Sequence, residues 1–284
     1  MSGRLSDLTN RISTMRQLDG VIGAMRGIAA ARANEAQARL AGIRACAATV
    51  GEAIAKVLPL APEHAEAHPS SARSPACVVI VLCSEQGFVG ALNTQIVAHA
   101  QTYAPHAPRD YMLVGSRGLP LARAVGLSLV WTGPAAAHIG GVDALASALT
   151  DALYVRLTTK PDATVCIIHA TINSAQHVDI IERLLLPFDF ARFAIARKSP
   201  VPIIQLPVRQ LLDGLVEAYV YTELCEAMTL SFAAENEARI QAMLAARSNV
   251  QERLELLVGQ YRQLRQEEIT SEIVELTAGA AASR

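Results

Sequence analysis

The sequence predicts an α/β fold joined to a long α-helical coiled coil, and three observations point there. All 13 prolines fall between Pro59 and Pro207, leaving two proline-free flanks, Met1 to Leu58 and Val208 to Arg284. Proline removes a helical hydrogen bond and clashes with the preceding turn, so its absence permits two uninterrupted helices. Both flanks carry apolar residues at steps of three and four, the mark of a coiled-coil seam. Between them, short apolar runs alternate with helix-like stretches, as in a parallel sheet with crossover helices. The reading is an antiparallel coiled coil of N- and C-terminal helices with a central Rossmann-like parallel-sheet domain.

The first segment, 1–58, is the N-terminal coiled-coil helix. Its seam runs through Leu5, Leu8, Ile12, Met15, Leu18, Ile22, Met25, Ala29, Ala33, Ala36, Leu40, Ile43, Ala47, Val50, Ile54 and Val57. The consecutive threes from Ile12 through Met15 to Leu18 form a stammer, which should overwind the supercoil locally. Gly20, Gly23 and Gly27 each cost about 1 kcal/mol relative to alanine inside a helix. They read as a place of close helix packing or a bend, in preference to a ligand site.

Segment 59–76, rich in Pro, Ala, Ser and His, has no periodicity and reads as a flexible connector. The α/β domain, 77–196, opens on the apolar run Cys77 to Cys83, of buried-strand type, followed by a glycine-containing turn and a helix from Ala91 to Tyr103. Strand Tyr111 to Gly115, helix Leu119 to Val125, strand Leu127 to Trp131, helix Val142 to Leu157 and strand Val165 to His169 continue the alternation. Val178 to Leu186 reads as a hairpin partner at a sheet edge. Segment 197–207 is an extended lead-in to the last helix.

The C-terminal coiled-coil helix, 208–284, repeats the seam in Ile240, Met243, Ala246, Val250, Leu254, Leu257, Tyr261 and Leu264. Two seams in one chain imply self-pairing. The first flank has eight Lys/Arg against four Asp/Glu and the second seven against twelve, so the partners attract. At about 1.5 Å per residue, the longer flank outruns its partner by about 30 Å. The overhang, 269–284, carries Ile269, Ile273, Val274, Leu276 and the run Ala280-Ala281-Ala282. That face is too apolar for water and calls for a partner from outside the chain.

Composition limits the alternatives. Aromatic residues make up 4% and the net charge is −1 with a pI near 6.7, so nothing global points to nucleic acid or an anionic membrane as partner. Five scattered cysteines, Cys46, Cys77, Cys83, Cys166 and Cys225, fit a reducing compartment. The N-terminus has no apolar signal core, and no window approaches eighteen apolar residues, so a soluble or peripheral chain is expected.

The turn Ser84-Glu85-Gln86-Gly87-Phe88-Val89-Gly90 sits where a nucleotide-binding fold would cradle phosphate, but lacks both the third glycine of a dinucleotide fingerprint and the ending of a P-loop. Gly115-Ser116-Arg117-Gly118 misses the nucleophile elbow by one position. Both read as structural turns. The seven histidines show no metal-binding spacing, and Glu267-Glu268 and Glu272/Glu275 read as a polar helix face. No cofactor, metal site or catalytic residue is expected. Two rival readings stay open: a small α/β nucleotide hydrolase, and a coiled-coil scaffold.

The segment Ile269-Thr270-Ser271-Glu272-Ile273-Val274-Glu275-Leu276-Thr277-Ala278-Gly279-Ala280-Ala281-Ala282 fits the signature of the gamma subunits of F-type ATP synthases. Ala24 to Ala31 resembles that family's "AM-x-x-VAA" helix, Ser84 to Asn93 its "SDRGLCGGLN" turn, and Ala234 to Met243 its "SEHxARMxAM" stretch. The resemblance spans nearly the whole chain in order. It implies a non-catalytic shaft whose helices stand inside a hexamer of alpha and beta subunits, with the α/β domain on the membrane c-ring beside epsilon. It implies partner contacts at Met25, Arg26, Arg239, Arg265, Gln266, Thr270 and Glu272. It also implies a peripheral place on the cytoplasmic side of a bacterial inner membrane, reached only through the complex. Glu85-Gln86 and Phe88-Val89 stand for the usual Asp-Arg and Leu-Cys, Arg262 for asparagine, Gly23 and Gly27 for larger residues, and Ala234 and Asn236 for Ser and His. These departures fit a divergent second copy of the sodium-linked N-type class.

Overall fold

Without proline to interrupt them, both flanks form single helices, and the apolar runs between them form one sheet. The elements in order are α1 (Ser2–Val57), β1 (Cys77–Leu82), α2 (Leu92–Thr102), β2 (Arg109–Val114), α3 (Leu119–Ala124), β3 (Leu129–Gly133), α4 (Val142–Thr159), β4 (Thr164–Ile172), β5 (Val178–Leu186) and α5 (Val208–Ala282). A computed structural model describes residues 2–60, 76–103, 108–160, 163–175, 177–193 and 202–282. Most of the two expected connectors, 61–75 and 197–201, lies outside the described residues, as do His64, His68 and His106. So do the side chains of Glu275 and of Ala280-Ala281-Ala282.

The chain divides into two compact units, Met1–Ala29 with Ile240–Arg284, and Ala30–Arg239. In the second unit the sheet order is β3-β2-β1-β4-β5. Strands β1 to β4 run parallel, and β5 pairs antiparallel with β4 as the expected edge hairpin. All six side chains of β1 are buried, as a central strand covered on both faces requires. Val78, Ile80 and Leu82 pack with Val142, Ala146, Leu149 and Leu153 of α4 and with Val220, Leu224 and Met228 of α5. Cys77, Val79 and Val81 pack with Ile96 and Val97 of α2 and Ala122 of α3. Strand alternation thus sorts the helices into two layers.

Within this unit, Ala36 meets Phe232 and Ala233, while Ile54 and Leu58 meet Leu212 and Tyr219, so α1 and α5 run antiparallel. An aromatic clasp closes the foot of this pair. Phe188 stacks on Phe193 at 5.6 Å between ring centroids, and both meet Tyr219 edge-on. A Cβ at Gly51 would stand 2.9 Å from the Phe193 ring, so glycine makes room for the clasp.

The first unit is the helix pair alone, and it too is antiparallel. Leu8 and Ile12 pack with Leu254, Leu257, Tyr261 and Leu264, and Ile22 packs with Met243, Ala246 and Val250. Two expectations need correcting here. Leu18 is 42% exposed and outside the seam. The seam steps instead from Met15 to half-buried Asp19 and on to Ile22, because Asp19 Oδ1 accepts a hydrogen bond from Arg247 Nε at 3.0 Å. The stammer therefore has no basis, since steps of four and three keep the ordinary coiled-coil average. Nor is there close packing at Gly20, Gly23 and Gly27, where an added Cβ would meet nothing within 4 Å.

Charge complementarity is carried by individual pairs. In the second unit Arg44 Nε donates to Glu226 Oε1 at 2.9 Å, in the expected sense, with the cation on α1. In the first, Asp19 and Arg247 reverse that sense.

Candidate functional site

In the first unit, the seam ends chemically where α1 ends. Arg4 and Asp7 line a groove with Gln263 and Glu267, near the last apolar seam residue, Leu264. Four and seven residues further on, the seam positions are Glu268 and Ser271. The apolar residues move to another face. At about 100° per residue, Ile269, Ile273 and Leu276 lie roughly 100° to 180° around the helix from Leu257 and Leu264. They are 46%, 56% and 74% exposed, and Val274 is 60% exposed. The expected overhang is present and is not folded back onto the chain among the described residues.

Arg265, Gln266, Thr270 and Glu272 occupy two turns of α5 at the start of this overhang, all exposed. Thr270 Oγ1 donates to the Gln266 carbonyl at 2.8 Å, leaving its oxygen free to accept from outside. Arg265 and Glu272, seven apart, share a face with Ile269 and Leu276. The site therefore mixes directional polar groups with a greasy surface. The structure does not bring Met25 and Arg26 to it. Met25 packs against Ile22 and Met243, further along the seam, and Arg26 is half-buried beside it.

Arg239 belongs to the second unit, and the expectation for it needs correcting. It is 5% exposed, and its guanidinium is taken up inside the unit. It donates to Glu235 Oε1 (2.6 Å), Asn236 Oδ1 (3.0 Å) and the Gly87 carbonyl (3.2 Å). The Gln86 N–H donates to Glu235 Oε1 at 3.4 Å, and Arg32 Nη1 to Gln86 Oε1 at 3.1 Å. Burial outweighs the bonds from Arg239 and the turn, and holds the Glu235 carboxyl above the usual range. A pair of that kind positions the turn more than it stabilises the fold.

The turn itself follows β1, where a doubly wound sheet would hold a phosphate. Here side chains of α1 and α5 hold it instead. Glu85 accepts from the Ser116 N–H (3.1 Å), Ser116 Oγ (2.6 Å) and the Ala135 N–H (2.7 Å), tying this turn to the second one. Burial raises the Glu85 pKa, but these bonds outweigh it and the net shift is downward. These bonds tie both turns into the fold.

The family model described as ATP synthase matches residues 4–282, overhang included. The chain belongs to the ATP synthase family. Among relatives, it is 25% identical over 298 residues to the ATP synthase gamma chain of Bdellovibrio bacteriovorus, covering 98% of each. It is 26% identical over 297 residues to that of Bordetella petrii, covering 98% of this chain and 99% of the other. Among solved structures, a chain of the Euglena gracilis mitochondrial ATP synthase assembly of OSCP, F1 and c-ring, in rotational state 3, shares the fold. Its TM-score is 0.64 at 13% identity, over 99% of this chain and 95% of that one.

Sequence reasoning missed two features of this ATP synthase family member. One is the aromatic clasp, whose signal was present, since three of the five phenylalanines fall within Phe188 to Phe193. The other is Arg183 on β5, to which the reading of Val178 to Leu186 as an edge strand gave no role.

Proposed function

We propose that this chain is the central-stalk rotor subunit of an F-type ATP synthase, a non-catalytic shaft that passes torque between an ion-driven membrane c-ring and a catalytic alpha/beta hexamer, coupling ion transport to ATP synthesis or hydrolysis. One observation carries the reading: a family match that extends over an apolar helix end left without a partner among the described residues. Exposed side chains such as Ile273 and Leu276 gain roughly 1 to 2 kcal/mol each on burial, so a sleeve of foreign subunits is the stable setting for them.

In this reading 1–58 and 208–284 form the shaft and 77–196 the base beside epsilon on the c-ring, with 59–76 and 197–207 as connectors. Arg265, Gln266, Thr270 and Glu272 make angle-dependent polar bonds to the hexamer, and Met25 and Arg26 meet it lower on the shaft. Bonds made at some angles and not others bias the rotor, and by linkage the rotor biases the hexamer. Among the described residues no helix is long and apolar enough to cross a membrane, which accords with a peripheral place reached through the complex, on the cytoplasmic side of a bacterial inner membrane. A nucleotide hydrolase reading finds no support in the Ser84 to Gly90 turn, which Arg239, Glu235 and Arg32 occupy.

The test is reconstitution with purified alpha and beta subunits. The wild-type chain should co-elute with the hexamer, and a chain carrying Ile269→Ser, Ile273→Ser and Leu276→Ser should fold alone yet bind about tenfold or more weakly. Equal binding by both would remove the overhang from the function.

A further inference from the structure

Five charged side chains meet where β5 faces α5. Arg183 Nη1 donates to Glu223 Oε2 at 2.6 Å and to Glu226 Oε2 at 3.1 Å. Glu226 also accepts from Arg44 of α1, and Arg192 Nη2 stands 3.5 Å from Glu223 Oε1. The glutamate side chains are 7% and 14% exposed and Arg183 is 24% exposed, while Arg44 and Arg192 reach solvent at 60% and 45%. Burial depresses the Arg183 pKa, but Glu223 and Glu226 outweigh it and raise it. His169 of β4 lies beneath. Its Nδ1 bonds the Ala170 carbonyl, and its Nε2 is buried without a partner among the described residues.

The rest of this face of α5 meets the sheet through apolar side chains, Val220, Leu224, Ala227 and Met228 among them. Apolar contact holds surfaces together without fixing direction. Ion pairs fix direction. Among the described residues Arg183 is the one cation that bonds both glutamates, which lie three apart on one helix face. The glutamates' other partners, Arg44 and Arg192 at the rim, are screened by water.

We propose that Arg183 is the positioning residue that keys α5, and through Glu226 and Arg44 also α1, to the sheet at a fixed angle about the helix axis. The idea rests on the torque reading above, in which whatever turns the sheet must turn the helix pair without slip. Arg183 acts through the glutamates. Both bonds leave the one Nη1 atom, held in place by a rigid guanidinium plane, whereas lysine carries its ammonium on a flexible four-carbon stem and is a poorer substitute.

The test uses the full-length chain with Cys46→Ser, spin-labelled at cysteines replacing exposed Thr132 on β3 and Ala218 on α5. Electron–electron resonance between the labels should give a narrow distance distribution in the parent and one about twice as wide in Arg183→Met. Arg183→Lys should be intermediate and keeps the test alive if the methionine variant does not fold. The exchange Arg183→Glu with Glu223→Arg should narrow the distribution again. An unchanged width in a folded Arg183→Met or Arg183→Lys chain overturns the proposal, as does failure of the exchange to restore it. In complex with the hexamer and c-ring, Arg183→Lys should lose ATP synthesis more than ATP hydrolysis. Equal loss of both also counts against the proposal, whereas a parent chain that never assembles sinks the torque reading and leaves the resonance result standing.

Discussion

Asp19 of α1 occupies a seam position, where an unbroken coiled coil would place an apolar residue, and accepts a hydrogen bond at 3.0 Å from Arg247 of α5. Their side chains are 28% and 37% exposed, so solvent screens the pair and it adds little to stability. A polar residue at one seam position instead fixes register.

Asp19→Leu should therefore raise stability by about 1 kcal/mol while loosening register. Denaturant melts would read the first effect. Trapping of cysteine pairs placed one helical turn out of register would read the second. A loss of stability with register kept would assign Asp19 a plain stabilising role.

The turn after β2 depends on two glycines for different reasons. Gly115 has φ +100°, and a Cβ there would collide with the Cys83 carbonyl; a Cβ at Gly118 would collide with the Cys83 side chain. Gly115→Ala and Gly118→Ala should each cost about 2 to 4 kcal/mol in urea melts. Cys83→Gly, which removes the Sγ as well as the Cβ at 2.6 Å, should relieve the second and not the first. Rescue of both, or of neither, would contradict this geometry.

His169 should give the second unit a specific acid sensitivity. Burial is the main cause of its pKa being lowered from 6.5 to about 4, with the nearby Arg183 charge adding to it. Because the folded chain binds the proton less readily than the unfolded one, stability is full above about pH 6.5 and falls as pH drops towards 4, by roughly 3 kcal/mol in all. The difference between wild type and His169→Leu should show this slope between those limits. A flat difference would mean that the imidazole stays neutral for another reason, or is not buried.

Much of the fold was legible because it rests on regular patterns. Proline placement set the limits of both long helices, and β5 starts at Val178 and ends at Leu186 as its composition implied. What was not legible depended on the partner across a contact. Leu18 and Asp19 are neighbours on one helix, and only Arg247 decides which of them enters the seam. Arg239 matched a motif read as a partner contact, yet its position under the Gly87 turn turns it inward. The clasp of Phe188, Phe193 and Tyr219 joins residues whose spacing has no period at all. The overhang could be read from helix lengths alone, although the shift of its apolar face away from the seam needed the position of Leu264.

Arg265→Ala with Gln266→Ala removes side chains that are exposed in the chain, so its own stability should change by less than about 0.5 kcal/mol. In an assembled complex, the loss of one charge-assisted bond formed at a particular angle should slow coupled turnover on the order of tenfold. Unchanged synthesis and hydrolysis would take both residues out of the mechanism.

Rotation itself is the most direct measurement. With an alpha/beta hexamer fixed to a surface and a bead on the sheet domain of this chain, added ATP should turn the bead continuously in one direction. ATP hydrolysis at full rate by an assembled complex, with the bead stationary, would contradict the account.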